Sequence, residues 1–270
     1  MRERERTEIL RSLLAARGFL SIADVMAATG VSAASARRHA SRLAEAGLAM
    51  RVHGGVHAVE FVAPEPSAPA KLTLRSFDDS QTANVEAKRA IARRAVELCV
   101  DDEAIIINGG TTTYQMAPFL RERRLKVLTN SYPLAEFLIH ETEIRVAVPG
   151  GDVHRAQKMI VAPFDDDASR HYWARLMFMS GVSITPLGVI EGDPLIALAE
   201  RKLLVRADRL IVLADASKFA PLGGLVVCPL SRIDTLITDG EAPPEALAML
   251  REAGVKTIVV DRDAGATEAA

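Results

Sequence analysis

The sequence predicts an α/β protein in two parts: a small helical head with a β-hairpin wing, and a larger open, mostly parallel sheet covered by helices. From residue 84 onward, seven β-rich runs alternate with helical stretches, which is typical of a parallel sheet with helices on both faces. The first sixty residues instead show three short helical patterns followed by two strand-like segments. Three prolines within 64–69 mark the boundary between the two parts.

The whole chain limits the kind of protein this can be. It has 270 residues, 49% of them hydrophobic and 25% charged, which is typical of a soluble globular protein. No apolar run reaches the roughly 18 residues of a membrane span, and the charged N-terminus lacks the apolar core of a signal peptide. Cys99 and Cys228 have no partner at metal-ligand spacing. We therefore expect a cytoplasmic protein that neither enters a membrane nor binds a metal.

Charge is distributed unevenly along the chain. Residues 1–60 contain nine arginines and six acidic residues, whereas the remainder contains 24 basic and 29 acidic residues. A basic head joined to an acidic body favours a polyanion as the partner of the head.

The head has the pattern of a helix-turn-helix with a wing. Helical periodicity covers 4–17, 22–29 and 33–47, and Gly30 permits a tight turn between the second and third helices. Two short strands then follow around 53–55. In such units the third helix enters the major groove, where arginine suits both guanine edges and phosphates.

The predicted DNA contacts lie on the outer face of the third helix and on the wing. The alternative is a solvated charged face on a small helical bundle. The glycine turn and the helix-capping serines, Ser21 and Ser32, instead favour nucleic-acid binding. The candidate residues are Ser32, Ser35, Arg37, Arg38, His39, Arg42, Arg51 and His53.

Several strands of the body end in glycine or small polar residues. The first ends in "NGGTTT" (108–113), where Thr111 or Thr112 can begin a helix whose free backbone N–H groups favour an anion. In open parallel sheets, ligands bind beyond the carboxyl ends of the strands. A phosphate with several hydroxyl groups, as in a sugar phosphate, would suit these ends. The alternative is that the glycines only make turns. The candidates are Gly109, Gly110, Thr111, Thr112, Asn130, Ser131, Gly150, Gly151, Asp215 and Lys218.

The head resembles the winged helix-turn-helix of the DeoR family of bacterial sugar-catabolism regulators. That family usually shows S-x-x-T-I-R-R-D-L-x-x-L-x-x-x-G followed by R-x-H-G-G. This chain departs from the pattern at Ser35, Ala36 and His39, so the operator sequence of relatives does not transfer. It keeps Ser32, Arg37, Arg38, Leu43, Gly47, Arg51, His53, Gly54 and Gly55.

The body also resembles this family, through "GGTTT", "LTNS", "PGG", "LADASKF" and the pattern N-x-x-x-K-x-x-I-A at 84–92. The resemblance implies an effector domain related in fold to ribose-5-phosphate isomerase and glucosamine-6-phosphate deaminase. Within the family, 162–204 looks most like regulators of L-ascorbate and rhamnose utilisation. The implied phosphate site comprises Gly110, Thr111 and Thr112, with Lys88, Asn130, Asp215 and Lys218 nearby.

Together these patterns predict a transcriptional repressor of a carbohydrate-utilisation operon that is relieved by a phosphorylated sugar. Its expected partners are double-stranded operator DNA, the sugar phosphate and further copies of itself, as a dimer or tetramer, with no cofactor. The alternatives are a sugar-phosphate isomerase with an accessory DNA-binding domain, using Glu191 or Asp193 as base, and a constitutive DNA-binding protein. The non-catalytic alternative for those two carboxylates is a solvated loop or a helix cap before Pro194.

The predicted domain organisation follows from the same boundaries. Residues 1–60 are the DNA-binding domain, with the helix-turn-helix at about 20–39. Residues 61–80 are the linker, 81–263 the α/β domain and 264–270 a disordered tail.

Overall fold

The computed structural model describes residues 3–17, 19–45, 48–52, 55–58, 75–162 and 167–261. The chain divides into two compact units, Met1–Pro69 and Ala70–Ala270. Most of the predicted linker, together with His53 and the predicted tail, lies outside the described residues.

The first unit contains three helices and a three-stranded antiparallel sheet. Its elements are α1 (Glu3–Arg17), β1 (Phe19–Ser21), α2 (Ile22–Thr29), α3 (Ala33–Glu45), β2 (Ala49–Val52) and β3 (Gly55–Ala58). The sheet order is β1-β3-β2. The three helices and the two wing strands confirm the predicted winged arrangement. The sequence did not predict β1, because a three-residue strand is too short to show an alternating pattern.

Local signals explain where the helices of this unit begin and end. The Ser21 side chain accepts from the backbone N–H of Asp24, while the Asp24 carboxylate accepts from the backbone N–H of Ser21, which forms a capping box. Gly30 ends α2 at φ 67°, a left-handed conformation that glycine adopts without strain. The helical pattern of 22–29 predicts that Met26 faces inward with Val25, but Met26 is 37% exposed. The small core contains Leu10, Leu14, Leu20, Val25, Ala36, Ala40, Leu43 and Val56.

The second unit alternates strands and helices along most of its length. Its first half contains α4 (Phe77–Gln81), α5 (Val85–Val96), β4 (Ala104–Ile107), α6 (Thr111–Tyr114), β5 (Lys126–Thr129), α7 (Tyr132–Glu141), β6 (Arg145–Ala147), β7 (Asp152–His154) and β8 (Met159–Val161). Its second half contains β9 (Ala174–Met179), β10 (Ser183–Thr185), β11 (Gly188–Glu191), α8 (Pro194–Leu204), β12 (Ala207–Leu213), β13 (Leu225–Cys228), β14 (Thr235–Asp239), α9 (Pro244–Glu252) and β15 (Lys256–Val260).

A seven-stranded sheet forms the centre of this unit, in the order β15-β14-β12-β9-β4-β5-β6. All six pairings in it are parallel. Its strands are the seven β-rich runs of the sequence, so the predicted mostly parallel sheet is confirmed.

The two faces of the central sheet are covered by different helices. On one face, Ile105 and Ile107 of β4 pack in the same cluster as Ile91 of α5. On the other face, Ile106 packs in the cluster that contains Leu203 of α8. Because alternate side chains of a strand point to opposite faces, α5 and α8 lie on opposite sides of the sheet.

Three features of the second unit were not predicted. β10, β11 and β13 form a separate antiparallel sheet, and β7 and β8 form a hairpin. The segment 75–80, assigned above to the linker, instead belongs to the folded unit. Ser76 caps α4, and Phe77 is 3% exposed and donates its backbone N–H to the Ala156 carbonyl at 2.8 Å. The prediction was wrong at this end because a five-residue helix gives too short a pattern to recognise.

Candidate functional sites

The outer face of α3 carries exposed arginines. Arg37 and Arg38 are exposed, whereas Ala36 and Ala40 beside them are buried in the core of the first unit. The Arg38 guanidinium donates to the Ser35 hydroxyl at 3.1 Å. This contact restrains a long cationic side chain at the surface, which reduces the entropy that it would lose on binding a polyanion.

His39 does not belong to this outer face, so the prediction that it contacts DNA is wrong. It is 6% exposed, and its Nδ1 lies 3.3 Å from an Nη2 of Arg42. Burial lowers the pKa of His39, and the positive charges of Arg6 and Arg38 lower it further. The reason is helical geometry, since residue 39 lies three positions from Ala36 and four from Leu43, on the same buried stripe.

The remaining DNA-contacting candidates lie on α3 and the wing. Arg42 is exposed on α3, and Arg51 is exposed on β2. Ser32, just before α3, is exposed, and its hydroxyl lies 3.4 Å from that of Ser35. The structure therefore leaves four exposed arginines on the helix and wing where the sequence predicted DNA contacts.

A cleft with a volume of about 420 Å³ opens in the second unit. Its wall includes Gly109 and Gly110 after β4, Ser180 after β9 and Asp215 after β12. It therefore lies at the carboxyl ends of three adjacent parallel strands, where ligands of open α/β sheets bind.

The glycine–threonine loop forms one part of the cleft wall. The backbone N–H of Gly109 donates to Asn130 Oδ1 at 2.8 Å, and a β-carbon added at Gly109 would lie 2.5 Å from Met159 Cγ. Gly110 has φ 149° and precedes Thr111, which begins α6. The loop thus needs glycine at both positions, one for space and one for conformation.

Cationic and hydrogen-bonding groups line the cleft on the α5 side. Lys88 is 3% exposed and donates to the Ser80 carbonyl at 2.6 Å. Burial lowers the pKa of Lys88, while the negative charge of Asp215 opposes that shift and the positive charge of Lys218 adds to it. Asp215 Oδ1 accepts from Asn84 Nδ2 at 3.0 Å. Among the described residues, Asp215 Oδ2 has no hydrogen-bond partner.

Two buried carboxyl groups line the cleft on the α8 side. Glu200 is 2% exposed, and its Oε1 accepts from Asn108 Nδ2 at 2.7 Å. Burial and the negative charge of Glu191 raise the pKa of Glu200 well above its ordinary value. Burial also raises the pKa of Glu191, against the opposing effect of hydrogen bonds from the backbone N–H groups of Gly192 and Asp193.

Comparison with known proteins gives the family. The DeoR C terminal sensor domain matches residues 83–240, and the DeoR-like helix-turn-helix domain matches residues 6–61. The HTH-type transcriptional regulator UlaR of Shigella flexneri serotype 5b is 32% identical over 260 residues, which covers 96% of this chain and 100% of that protein. UlaR of Escherichia coli K12 matches with the same identity and coverage. This chain belongs to the DeoR family.

The solved structures that this DeoR-family protein resembles are distant in sequence. Ribose 5-phosphate isomerase A from Methanocaldococcus jannaschii is 19% identical, with a TM-score of 0.39, over 51% of this chain and 56% of that chain. The eIF2B delta subunit from Chaetomium thermophilum is also 19% identical, with a TM-score of 0.39, over 51% of this chain and 50% of that chain.

The family assignment makes this DeoR-family chain a DNA-binding transcriptional regulator and not an enzyme. Asp193, one of the two carboxylates considered for an isomerase, caps α8 by accepting from the backbone N–H groups of Leu195 and Ile196. Within the described residues, no helix is long and apolar enough to cross a membrane, and no group of three His, Cys, Asp or Glu side chains is arranged for a metal.

Some candidates for the regulator's ligand site do not line the cleft. Thr112 is 0% exposed. Asn130 supports the loop by accepting a hydrogen bond from the backbone N–H of Gly109. Ser131 caps α7, where its hydroxyl accepts from the backbone N–H of Leu134 at 3.3 Å. Gly150 and Gly151 lie in an exposed turn before β7. The contact of these five residues with the ligand stays a prediction, and the structure places Asn130 against the backbone of the loop.

Sequence reasoning also missed lining residues of this regulator, above all Glu200. The available signal was its position on α8, where residue 200 falls in the apolar stripe that contains Ile196 and Leu203. A charged residue in such a stripe is exceptional, because burying an unpaired charge is costly. Asn108, its hydrogen-bond partner, ends β4 and gave no signal of its own.

Replacing Glu200 by glutamine is expected to flatten the pH dependence of stability. Because burial raises the pKa of Glu200, the folded protein retains a proton that the unfolded chain releases above about pH 4.5. The contribution of Glu200 to the free energy of unfolding is complete below that pH. It is lost as the pH rises towards the folded-state pKa, by at most about 1.4 kcal/mol per pH unit.

Urea unfolding between about pH 5 and about pH 8 measures this difference. Glu136→Gln, which changes an exposed glutamate of α7, should retain the wild-type pH dependence. If the free energy of unfolding depended on pH equally in the wild type and in Glu200→Gln, the raised pKa of Glu200 would be contradicted.

Proposed function

We propose that this protein is a cytoplasmic repressor of a carbohydrate-utilisation operon and that a phosphorylated sugar bound in the cleft releases it from its operator. The observation that carries the proposal is the glycine–threonine loop facing the same cleft as Lys88 and Lys218. A loop with close backbone approach and two ammonium groups suits a phosphate dianion, because charge-assisted hydrogen bonds to phosphate are strong.

The same cleft offers groups for the hydroxyls of a sugar. The unpartnered Asp215 Oδ2 can accept a hydrogen bond from a hydroxyl group, and the Ser180 side chain can donate or accept one. A phosphate next to several hydroxyls is the chemistry of a sugar phosphate, and no cofactor is required. The name of the UlaR relatives, transcriptional regulator, supports a ligand that controls DNA binding rather than one that is converted.

The test is a thermal-shift panel of sugar phosphates, each paired with the free sugar and with inorganic phosphate. We expect at least one sugar phosphate to raise the melting temperature more than its free sugar does. Gel shifts should use DNA fragments recovered from a random pool by their binding to the purified protein. They should then show that this compound weakens DNA binding by about 5–150-fold. The proposal fails if no sugar phosphate binds, or if the one that binds leaves DNA affinity unchanged.

We also propose that the protein acts as a homo-oligomer, either a dimer or a tetramer. One winged unit covers a small stretch of DNA, and two half-sites about one helical turn apart require two copies in a symmetric assembly. Light scattering should give at least a dimeric mass for the complex with selected DNA. A monomer bound to DNA at micromolar concentration would contradict this proposal.

A further inference from the structure

The cleft has two chemically different sides because α5 and α8 cover opposite faces of the central sheet. The α5 side presents Lys88, and Lys218 follows β12 on the same rim. The α8 side presents Glu191 and Glu200. Between the two sides lie the small residues that follow β4 and β9, so one ligand can reach both sides across the ends of the strands.

Glu200 lines the α8 side of the cleft, and both Glu200 and its hydrogen-bond partner Asn108 retain an unused polar atom. Glu200 Oε1 is occupied by the Asn108 amide at 2.7 Å. Among the described residues, Glu200 Oε2 and Asn108 Oδ1 have no hydrogen-bond partner, although both atoms are buried. Buried polar atoms are nearly always satisfied, so the unpartnered Glu200 Oε2 on the cleft wall indicates that a ligand supplies the missing partner.

Glu191 adds a second carboxyl group with a different role. It is 7% exposed, and its Oε1 is held by the backbone N–H groups of Gly192 and Asp193. Burial raises the pKa of Glu191, and those two bonds oppose that shift and fix the direction of the carboxyl group. Glu200 has no such backbone donors, and its burial beside the charge of Glu191 favours the protonated form.

We propose that the α8 side of the cleft holds the hydroxyl-bearing end of the effector through Glu191 and Glu200, and so selects sugar phosphates over phosphorylated sugar acids. This inference rests on the proposed function and names the ligand class more closely. When one of these two carboxyl groups holds a proton and the other is ionised, a hydroxyl group can accept from the first and donate to the second at the same time. A ligand carboxylate can only accept hydrogen bonds, and it would lie against Glu191 in a partly desolvated site, where like charges repel strongly.

The experiment uses two derivatives of the aldose phosphate, phosphorylated at its terminal carbon, that gives the largest shift among such compounds in the panel. Reduction gives the open-chain alditol phosphate, and oxidation gives the open-chain aldonate phosphate (for glucose 6-phosphate, glucitol 6-phosphate and 6-phosphogluconate). The two derivatives differ only in a hydroxymethyl or a carboxylate group at the end remote from the phosphate. Calorimetry on the full-length wild type should favour the alditol phosphate by about tenfold or more.

Variants of the two carboxyl groups connect this preference to the α8 side. Glu191→Gln removes the repelling charge and should reduce the preference to less than about threefold, by improving the affinity for the aldonate phosphate. Glu200→Gln mimics the protonated carboxyl group, because its carbonyl oxygen can accept from Asn108 Nδ2 and its amide N–H can donate to the ligand hydroxyl, so it should keep the affinity for both derivatives. The control, Glu136→Gln on the exposed face of α7, should keep the wild-type preference.

Each outcome decides between the two proposals. A wild type that binds both derivatives equally, prefers the aldonate phosphate or binds neither overturns this inference and leaves the proposed function intact. An unchanged preference in Glu191→Gln, with the fold confirmed by circular dichroism, also overturns it. If no sugar phosphate binds in the initial panel, the proposed function itself fails and this inference fails with it.

Discussion

Replacing Thr111 by glutamate is expected to abolish binding of the sugar phosphate while operator affinity stays at the wild-type value. Thr111 begins α6 directly after Gly110 and lines the cleft, so a carboxylate there would occupy the proposed phosphate position. Like charges in close contact cost several kcal/mol, which corresponds to a loss in affinity of roughly 100-fold or more. The variant would be a repressor that no longer responds to its inducer.

Calorimetry measures the affinity of the variant for the sugar phosphate, and gel shifts with selected DNA measure its affinity for the operator. The matched control is Thr111→Gln, which has nearly the size of glutamate without its charge and should retain more of the affinity. A Thr111→Glu protein that binds the sugar phosphate normally would show that the phosphate site is misplaced. Loss of DNA binding in the same variant would show a folding defect instead.

Replacing Arg38 by alanine is expected to weaken binding to the operator by about 1–3 kcal/mol, or roughly 5–150-fold. Arg38 is exposed on α3, and its contact with the Ser35 hydroxyl holds the guanidinium in place. If the guanidinium contacts a base edge, the variant should also discriminate less between the operator and unrelated DNA. If it contacts a phosphate, both affinities should fall together.

Gel shifts at one fixed salt concentration, with operator and unrelated DNA, separate these cases. Arg251→Ala is the matched control, because it removes an exposed arginine from α9 in the other unit. Unchanged operator affinity in Arg38→Ala would contradict the placement of α3 on DNA. A wild type that binds operator and unrelated DNA equally would contradict sequence-specific recognition altogether.

The amino-acid sequence by itself determined the secondary structure of the larger elements. The seven strands of the central sheet are short apolar runs, all but β9 containing β-branched residues, and each is followed by a turn or helix signal that marks its end. The capping box at Ser21 and the left-handed Gly30 are local interactions, so they could be predicted from a few neighbouring residues. The family also followed from motifs that are contiguous in the chain.

Very short elements, and strands that pair with distant parts of the chain, could not be predicted in the same way. β1 has three residues and α4 has five, so neither is long enough to repeat its strand or helix pattern even twice. In the small antiparallel sheet β10 and β11 pair locally, whereas β11 pairs with β13 across α8 and β12, so that pairing depends on contacts far apart in sequence. Long-range pairing of this kind overrides local propensity.

Only the tertiary structure decided which side chains meet at the cleft. Lys88 and Glu200 are separated by more than a hundred residues, and they face one site because α5 and α8 pack on opposite faces of the same sheet. His39 is buried beside positive charges that lower its pKa, and Asn130 accepts a hydrogen bond from the backbone N–H of Gly109 in the loop. Each of these roles depends on burial and on distant neighbours, and a linear pattern contains neither.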